Sequence, residues 1–173
     1  MCLLASSPVL KADPVEAVAK LDLNQYSGTW YEIARYPNKG QKHCTANAFE
    51  LVTTRYKPRQ LLVVDSCLTK TGYTEVRNGT AKQDGSGSGR LKVRYTWPFS
   101  SKQWVLALGP DFGWALVGSP NRKQLWVLSR TAVMKPEILA EIEAKATAEG
   151  FSSAKLMMTP QGVPAVAAQQ VHP

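Results

Sequence analysis

Gly28-Thr29-Trp30-Tyr31-Glu32-Ile33-Ala34-Arg35 is the stretch from which the rest of the chain can be read. Trp, Tyr, Thr and Ile favour a pleated, half-buried surface, so these residues predict a strand. Gly28, just before the aromatic pair, allows a sharp bend or the close approach of another group. Alternation places Trp30, Glu32 and Ala34 on one face and Tyr31, Ile33 and Arg35 on the other. A large aromatic followed on the same face by a small residue describes a wall filled at one end and hollow further along. Pro37-Asn38-Lys39-Gly40 ends the strand with turn formers.

Downstream, strand-like stretches recur at residues 44–51, 61–68, 71–82, 90–97, 103–108, 114–118 and 124–130. The fifth strand of the set alternates cleanly, with Leu91, Val93, Tyr95 and Trp97 on one face and Lys92, Arg94 and Thr96 on the other. Asp84-Gly85-Ser86-Gly87-Ser88-Gly89 reads as a flexible connection without core residues. Eight evenly spaced strands with short links predict an all-β fold, antiparallel and up-and-down, as a sandwich or a closed barrel. An eight-stranded barrel is just wide enough to be filled by side chains or to hold one small ligand. Residues 136–149 break the rhythm: Ile138, Leu139, Ile142 and Ala146 form one apolar stripe, with Pro136 suited to the first turn and Gly150 to the stop. That helix is expected to dock on the outside of the sheet.

The expected organisation is an N-terminal leader segment over 1–20, one barrel domain over 21–160 and a flexible tail over 161–173. Single helical turns are expected near 13–18 and at 22–26. The chain is basic, with 21 Lys+Arg against 13 Asp+Glu and a net charge of +8. The basic residues are scattered and form no run or zinc-finger spacing, which argues against nucleic acid as a partner. With three cysteines, two histidines (His43 and His172) and no CxxC pair, no metal site and no cofactor are expected. No apolar run reaches the roughly 18 residues of a spanning helix. Met1-Cys2-Leu3-Leu4-Ala5 lacks the basic region of a signal peptide, but Cys2 is the residue a processed, acylated N-terminus would expose.

Three blocks carry a family resemblance. Gly28-Thr29-Trp30 is similar to the Gly-x-Trp signature of lipocalins. Asp111-Phe112-Gly113-Trp114-Ala115-Leu116-Val117 resembles their second block, with Phe112 where Tyr is usual. Leu125-Trp126-Val127-Leu128-Ser129-Arg130 resembles the third. The extended first and third blocks, with Glu149-Gly150-Phe151 after the helix, resemble the branch holding bacterial outer-membrane lipocalins, plant temperature-induced lipocalins and apolipoprotein D. The resemblance implies an eight-stranded antiparallel up-and-down β-barrel with one C-terminal α-helix packed outside. It also implies structural roles for Gly28, Trp30 and Arg130, with the arginine lying across the indole at the closed end.

On that barrel, the expected ligand wall is Ala34, Tyr36, Phe49, Leu91, Val93 and Tyr95, continued by Trp97, Val105, Ala115, Val117, Trp126 and Leu128. Such an aromatic and aliphatic lining suits an acyl chain or another elongated apolar molecule. Glu32 should find a donor such as Arg or Tyr, because a buried unpaired carboxylate is costly. Arg55, Lys57 and Arg59 are expected near the open end, with Tyr36 and Lys39 at the portal. Cys44 and Cys67 sit in adjacent strands and form either a cross-strand disulfide or two buried thiols. No catalytic constellation is evident; the alternative readings are a pigment or tetrapyrrole binder, holding a bilin, haem or carotenoid with His43 as a candidate haem ligand, and an enzyme using a barrel cysteine as nucleophile. The expected partners are a small hydrophobic or amphipathic ligand and an anionic membrane surface, for a monomer or homodimer. The family branch implies an extracytoplasmic site, periplasmic or anchored as a lipoprotein on the outer membrane.

Overall fold

The computed structural model describes residues 13–163. A one-turn helix α1 (Leu23–Tyr26) leads into strands β1 (Gly28–Arg35), β2 (Cys44–Thr54), β3 (Gln60–Thr69) and β4 (Thr74–Gln83). These are followed by β5 (Arg90–Arg94), β6 (Ser101–Leu108), β7 (Trp114–Gly118) and β8 (Leu125–Ser129). The helix α2 (Pro136–Ala148) and the two-residue strand β9 (Met157–Met158) complete the chain. Neighbours in sequence are neighbours in the sheet, and β1 bonds both β8 and β2, which closes the eight strands into a barrel.

Asp22 caps α1 by accepting the amide hydrogens of Asn24 and Gln25, which is why the turn forms there. No turn forms over 13–18. The segment has no regular secondary structure; Val18 trades main-chain bonds with Val105 and Gly89, while Val15 and Leu21 are buried. The glycine-rich link before β5 is its dock, ordered by Asp84 accepting from Ser86 and Ser88 and by Gln83 donating to the carbonyls of Leu21, Gly87 and Ser88. Loss of alternative conformers there is offset by these bonds, so composition alone overstates its flexibility.

Two apolar clusters share the wall. One fills the lower barrel, including Trp30, Val52, Leu61, Val63, Leu91, Val93 and Leu128. The other lies between the outer wall and α2, where Ile142 and Ala146 are fully buried against Ala34, Leu116 and Val127. The expected stripe of α2 is thus the buried one, with Ile138 and Leu139 packed at its edge.

Beyond β9, which pairs with Ala34 and Arg35, the chain threads the seam between β1 and β2. Thr159 N–H donates to the Ile33 carbonyl, Asn47 N–H to that of Pro160, and the Gln161 side-chain amide to those of Glu32 and Ala48. The described part of the expected tail is therefore bonded into the wall.

Candidate functional site

The barrel is shut at one end. Arg130 places its guanidinium carbon 3.6 Å from the centre of the Trp30 indole. It donates to the carbonyls of Gln25, Tyr26, Ser27, Thr29 and Phe112. Gly28 takes φ +112°, and a Cβ there would sit 3.1 Å from Arg130 Nη1, so both backbone and space require glycine. Because β2 ends beside Gly28, the β2–β3 turn carrying Arg55, Lys57 and Arg59 also lies at this closed end. The expectation that these residues flank the mouth is corrected: an antiparallel hairpin from the open end must turn at the opposite one.

Above the floor lies a cavity of about 170 Å³. Of the expected wall residues, Phe49, Leu91, Val93, Tyr95, Val117, Trp126 and Leu128 border it. Phe49 also keeps 37% of its surface exposed. Val105 and Ala115 are buried in the lower barrel core without bordering the cavity. Trp97 is 78% exposed, in the loop beyond β5. The β5–β6 ladder stops at Val93 and Ser101, short of Trp97.

Ala34 and Tyr36 lie on the other side of the wall. Between Glu32 and Ala34 the register with β8 slips: Glu32 faces Leu128, and Ala34 already faces Val127. Ile33 is the extra residue of a β-bulge, which reverses the alternation beyond it. Ala34 therefore packs under α2, and Tyr36 donates its hydroxyl to the Ser152 carbonyl at 2.7 Å beside Phe151. The same slip turns Arg35 inward, where it is 2% exposed and pairs with Glu32 at 2.6 Å. Thr159 Oγ1 donates to the same Glu32 oxygen, and Gln41 donates to the other. Glu32 thus has an arginine partner, as its burial demands.

Sequence reasoning missed a row of charged residues across the wall. Glu50, Asp65 and Arg77 stand directly opposite one another on β2, β3 and β4, and all three line the cavity. Arg77 bonds Asp65 at 2.8 Å and lies 4.7 Å from the centre of the Tyr95 ring. Gly79 makes that ring position possible, since a Cβ there would fall 2.8 Å from it. Burial, then the neighbouring Asp65 charge, holds the Glu50 carboxyl well above the usual carboxylate range. Burial likewise raises Asp65, against the opposing pull of Tyr95 and Arg77. Parity was the available signal: Glu50 shares the inward face of Val52, and Asp65 that of Leu61 and Val63.

The loop at 38–42 folds over the mouth. The Gln41 side-chain oxygen accepts from Trp126 Nε1 at 2.9 Å and from the Asn38 amide at 2.8 Å. Lys39 and His43 are exposed in this connection. Cys44 and Cys67 are joined in a disulfide between β2 and β3 near the open end. Cys2 and His172 lie outside the described residues. Among the described residues no group of three or more His, Cys, Asp or Glu is placed to hold a metal, and no helix is long and apolar enough to cross a membrane.

A closed barrel with a capped floor, a side-chain-lined cavity and one docked helix is the lipocalin architecture, and comparison with known proteins agrees. Residues 21–161 match the family model of the lipocalin-like domain, and the chain belongs to the lipocalin family, whose members bind small hydrophobic ligands. Temperature-induced lipocalin-1 of Arabidopsis thaliana is 35% identical over 156 residues, covering 85% of this chain and 83% of that protein. Outer membrane lipoprotein Blc of Escherichia coli K12 is 33% identical over 157 residues, with the same coverage of 85% and 83%. Among solved structures, insecticyanin from the tobacco hornworm Manduca sexta superposes with a TM-score of 0.70 at 18% identity, covering 90% of this chain and 88% of that one. Lobster apocrustacyanin A1 gives 0.67 at 18%, covering 90% and 94%.

Proposed function

We propose that this lipocalin is a non-enzymatic carrier or store of an amphiphile with a fatty chain, in the class of fatty acids, lysophospholipids and comparable molecules. The carrying observation is the two-zone cavity. Its lower walls are Val52, Leu61, Val63, Leu91, Val93 and Leu128, and its upper walls are polar. Each Å² of chain buried there contributes about 25 cal/mol. A cavity of about 150 Å³ suffices for benzene, so about 170 Å³ holds a short run of chain and leaves the rest to emerge through the mouth. That volume favours a chain over the bulk of a tetrapyrrole pigment.

Both barrel cysteines are bonded to each other, which leaves neither as the thiolate a nucleophile requires. The disulfide and the likeness to outer-membrane lipoproteins support an extracytoplasmic setting, and the net charge of +8 supports residence beside anionic membranes and a part in their maintenance. Native mass spectrometry and solvent extraction of protein purified from its host test the reading. A co-purifying chain-bearing lipid that displaces a fluorescent fatty-acid probe is expected. Absence of any such ligand, with no displacement by any chain-bearing lipid, rejects it.

A further inference from the structure

The polar belt differs in sign from the rest of the molecule. The chain carries +8, yet the charged residues bordering its cavity are Glu32, Glu50, Asp65 and Glu75 against Arg77 alone. Arg35 offsets Glu32, and Arg77 offsets Asp65. Glu50 is left over. It is part-buried and borders the cavity, and its side-chain hydrogen-bond partner is another acid, Asp65, so two adjacent carboxyls share one cation, Arg77. The belt stands one two-residue step, about 7 Å, above the level of Val52, Val63 and Gly79. A chain seated on the apolar floor would bring its polar end to Glu50.

Resting on the carrier reading above, we propose that, within that class, this cavity prefers amphiphiles whose head group presents a cationic or neutral hydrogen-bond donor, a protonated amine above all, over those with a free carboxylate. Two adjacent carboxyls beside one arginine leave an acid without a cation, and an ammonium both neutralises that charge and fills acceptor sites on the pair. A ligand carboxylate at the same height would add a third acid to Glu50 and Asp65. The groups facing Glu50 are Glu32 from β1, Asp65 from β3, Arg77 from β4, Tyr95 just beyond β5 and Tyr26 from α1. Arg77 is the one cation among them, and Asp65 and the Tyr95 ring already engage it.

The test is calorimetric titration of the full chain, near pH 7.5, with three probes of equal chain length: octylamine, 1-octanol and octanoate. Octylamine is expected to bind at least about tenfold more tightly than octanoate, a gap of about 1.4 kcal/mol, with octanol between them. Glu50→Gln should weaken octylamine by about tenfold or more and leave octanoate no weaker. Should that variant fail to fold, wild-type titrations from about pH 7.5 down to pH 4.5 serve instead. Octylamine affinity should fall as the belt takes up protons, while octanol stays level. Octanoate binding as tightly as octylamine, or octylamine indifferent to both the substitution and pH, overturns this inference and leaves the carrier reading intact. Binding by none of the three removes the carrier reading and this inference with it.

Discussion

The guanidinium of Arg130 is spread over five carbonyl oxygens and one indole face, a set that no other side chain can reproduce. Arg130→Ala should lower unfolding free energy by about 2–4 kcal/mol, from the lost cation–π contact and unpaired carbonyls. Arg130→Lys should recover under half of that. Urea midpoints at unchanged slope read both. Glu50 works in the opposite direction. Its folded-state pKa is raised by burial and by Asp65, so the protonated carboxyl is the form the fold prefers. The sign follows: stability is fully present below the ordinary carboxylate pKa and is lost as pH climbs through the raised one. Melting temperature should therefore fall from about pH 4.5 towards neutrality in the wild type. Glu50→Gln should flatten that decline and melt higher than wild type near pH 7. A steeper decline in the variant would show that the carboxylate is stabilised instead. These two residues also differ in how they could be read. Arg130 sits in a recognisable block, whereas Glu50 looks like any solvent-facing charge on a strand until its parity with Val52 is followed.

At the scale of elements, the strands and the helix were legible because alternation and a single apolar stripe are strong signals, and the boundaries of β7 and α2 agree closely with them. What stayed hidden were breaks in period. A single extra residue, Ile33, moves Ala34 and Tyr36 out of the barrel and Arg35 into it, and no residue preference marks a bulge at that point. Pairing across strands was equally invisible. Lys82, Lys92 and Lys102 stand directly opposite one another on β4, β5 and β6, all exposed on the outer face. Like charges in such pairs oppose sheet formation, each by a few tenths of a kcal/mol up to about 1 kcal/mol. Lys92→Glu turns both repulsions into attractions and should raise the melting temperature. The gain should shrink from low salt to about 1 M salt, where charges beyond roughly 3 Å are screened. A variant no more stable than wild type at low salt would mean that the lysines already splay apart.

For the molecule as a whole, closure depends on links between segments distant in sequence. The Cys44–Cys67 bond spans 23 residues and ties β2 to β3 near the mouth. Replacing both cysteines by serine should cost about 3 kcal/mol, the loop-closure entropy of a link that long. A urea midpoint unchanged by the double substitution, or by reductant on the wild type, would assign the bond no such role. The family and its architecture could be read from three short blocks. The character of the cavity could not, because it arises where four strands and a loop converge. That convergence has a kinetic consequence. A cation in solvent meets a positive shell whose field reaches about 8–10 Å at moderate salt, and only past the mouth does the sign reverse. Added salt quietens the shell but scarcely touches the enclosed belt. Loading should therefore quicken with ionic strength while escape keeps its pace, so the outer surface sets how fast the barrel fills and the interior how long it stays full.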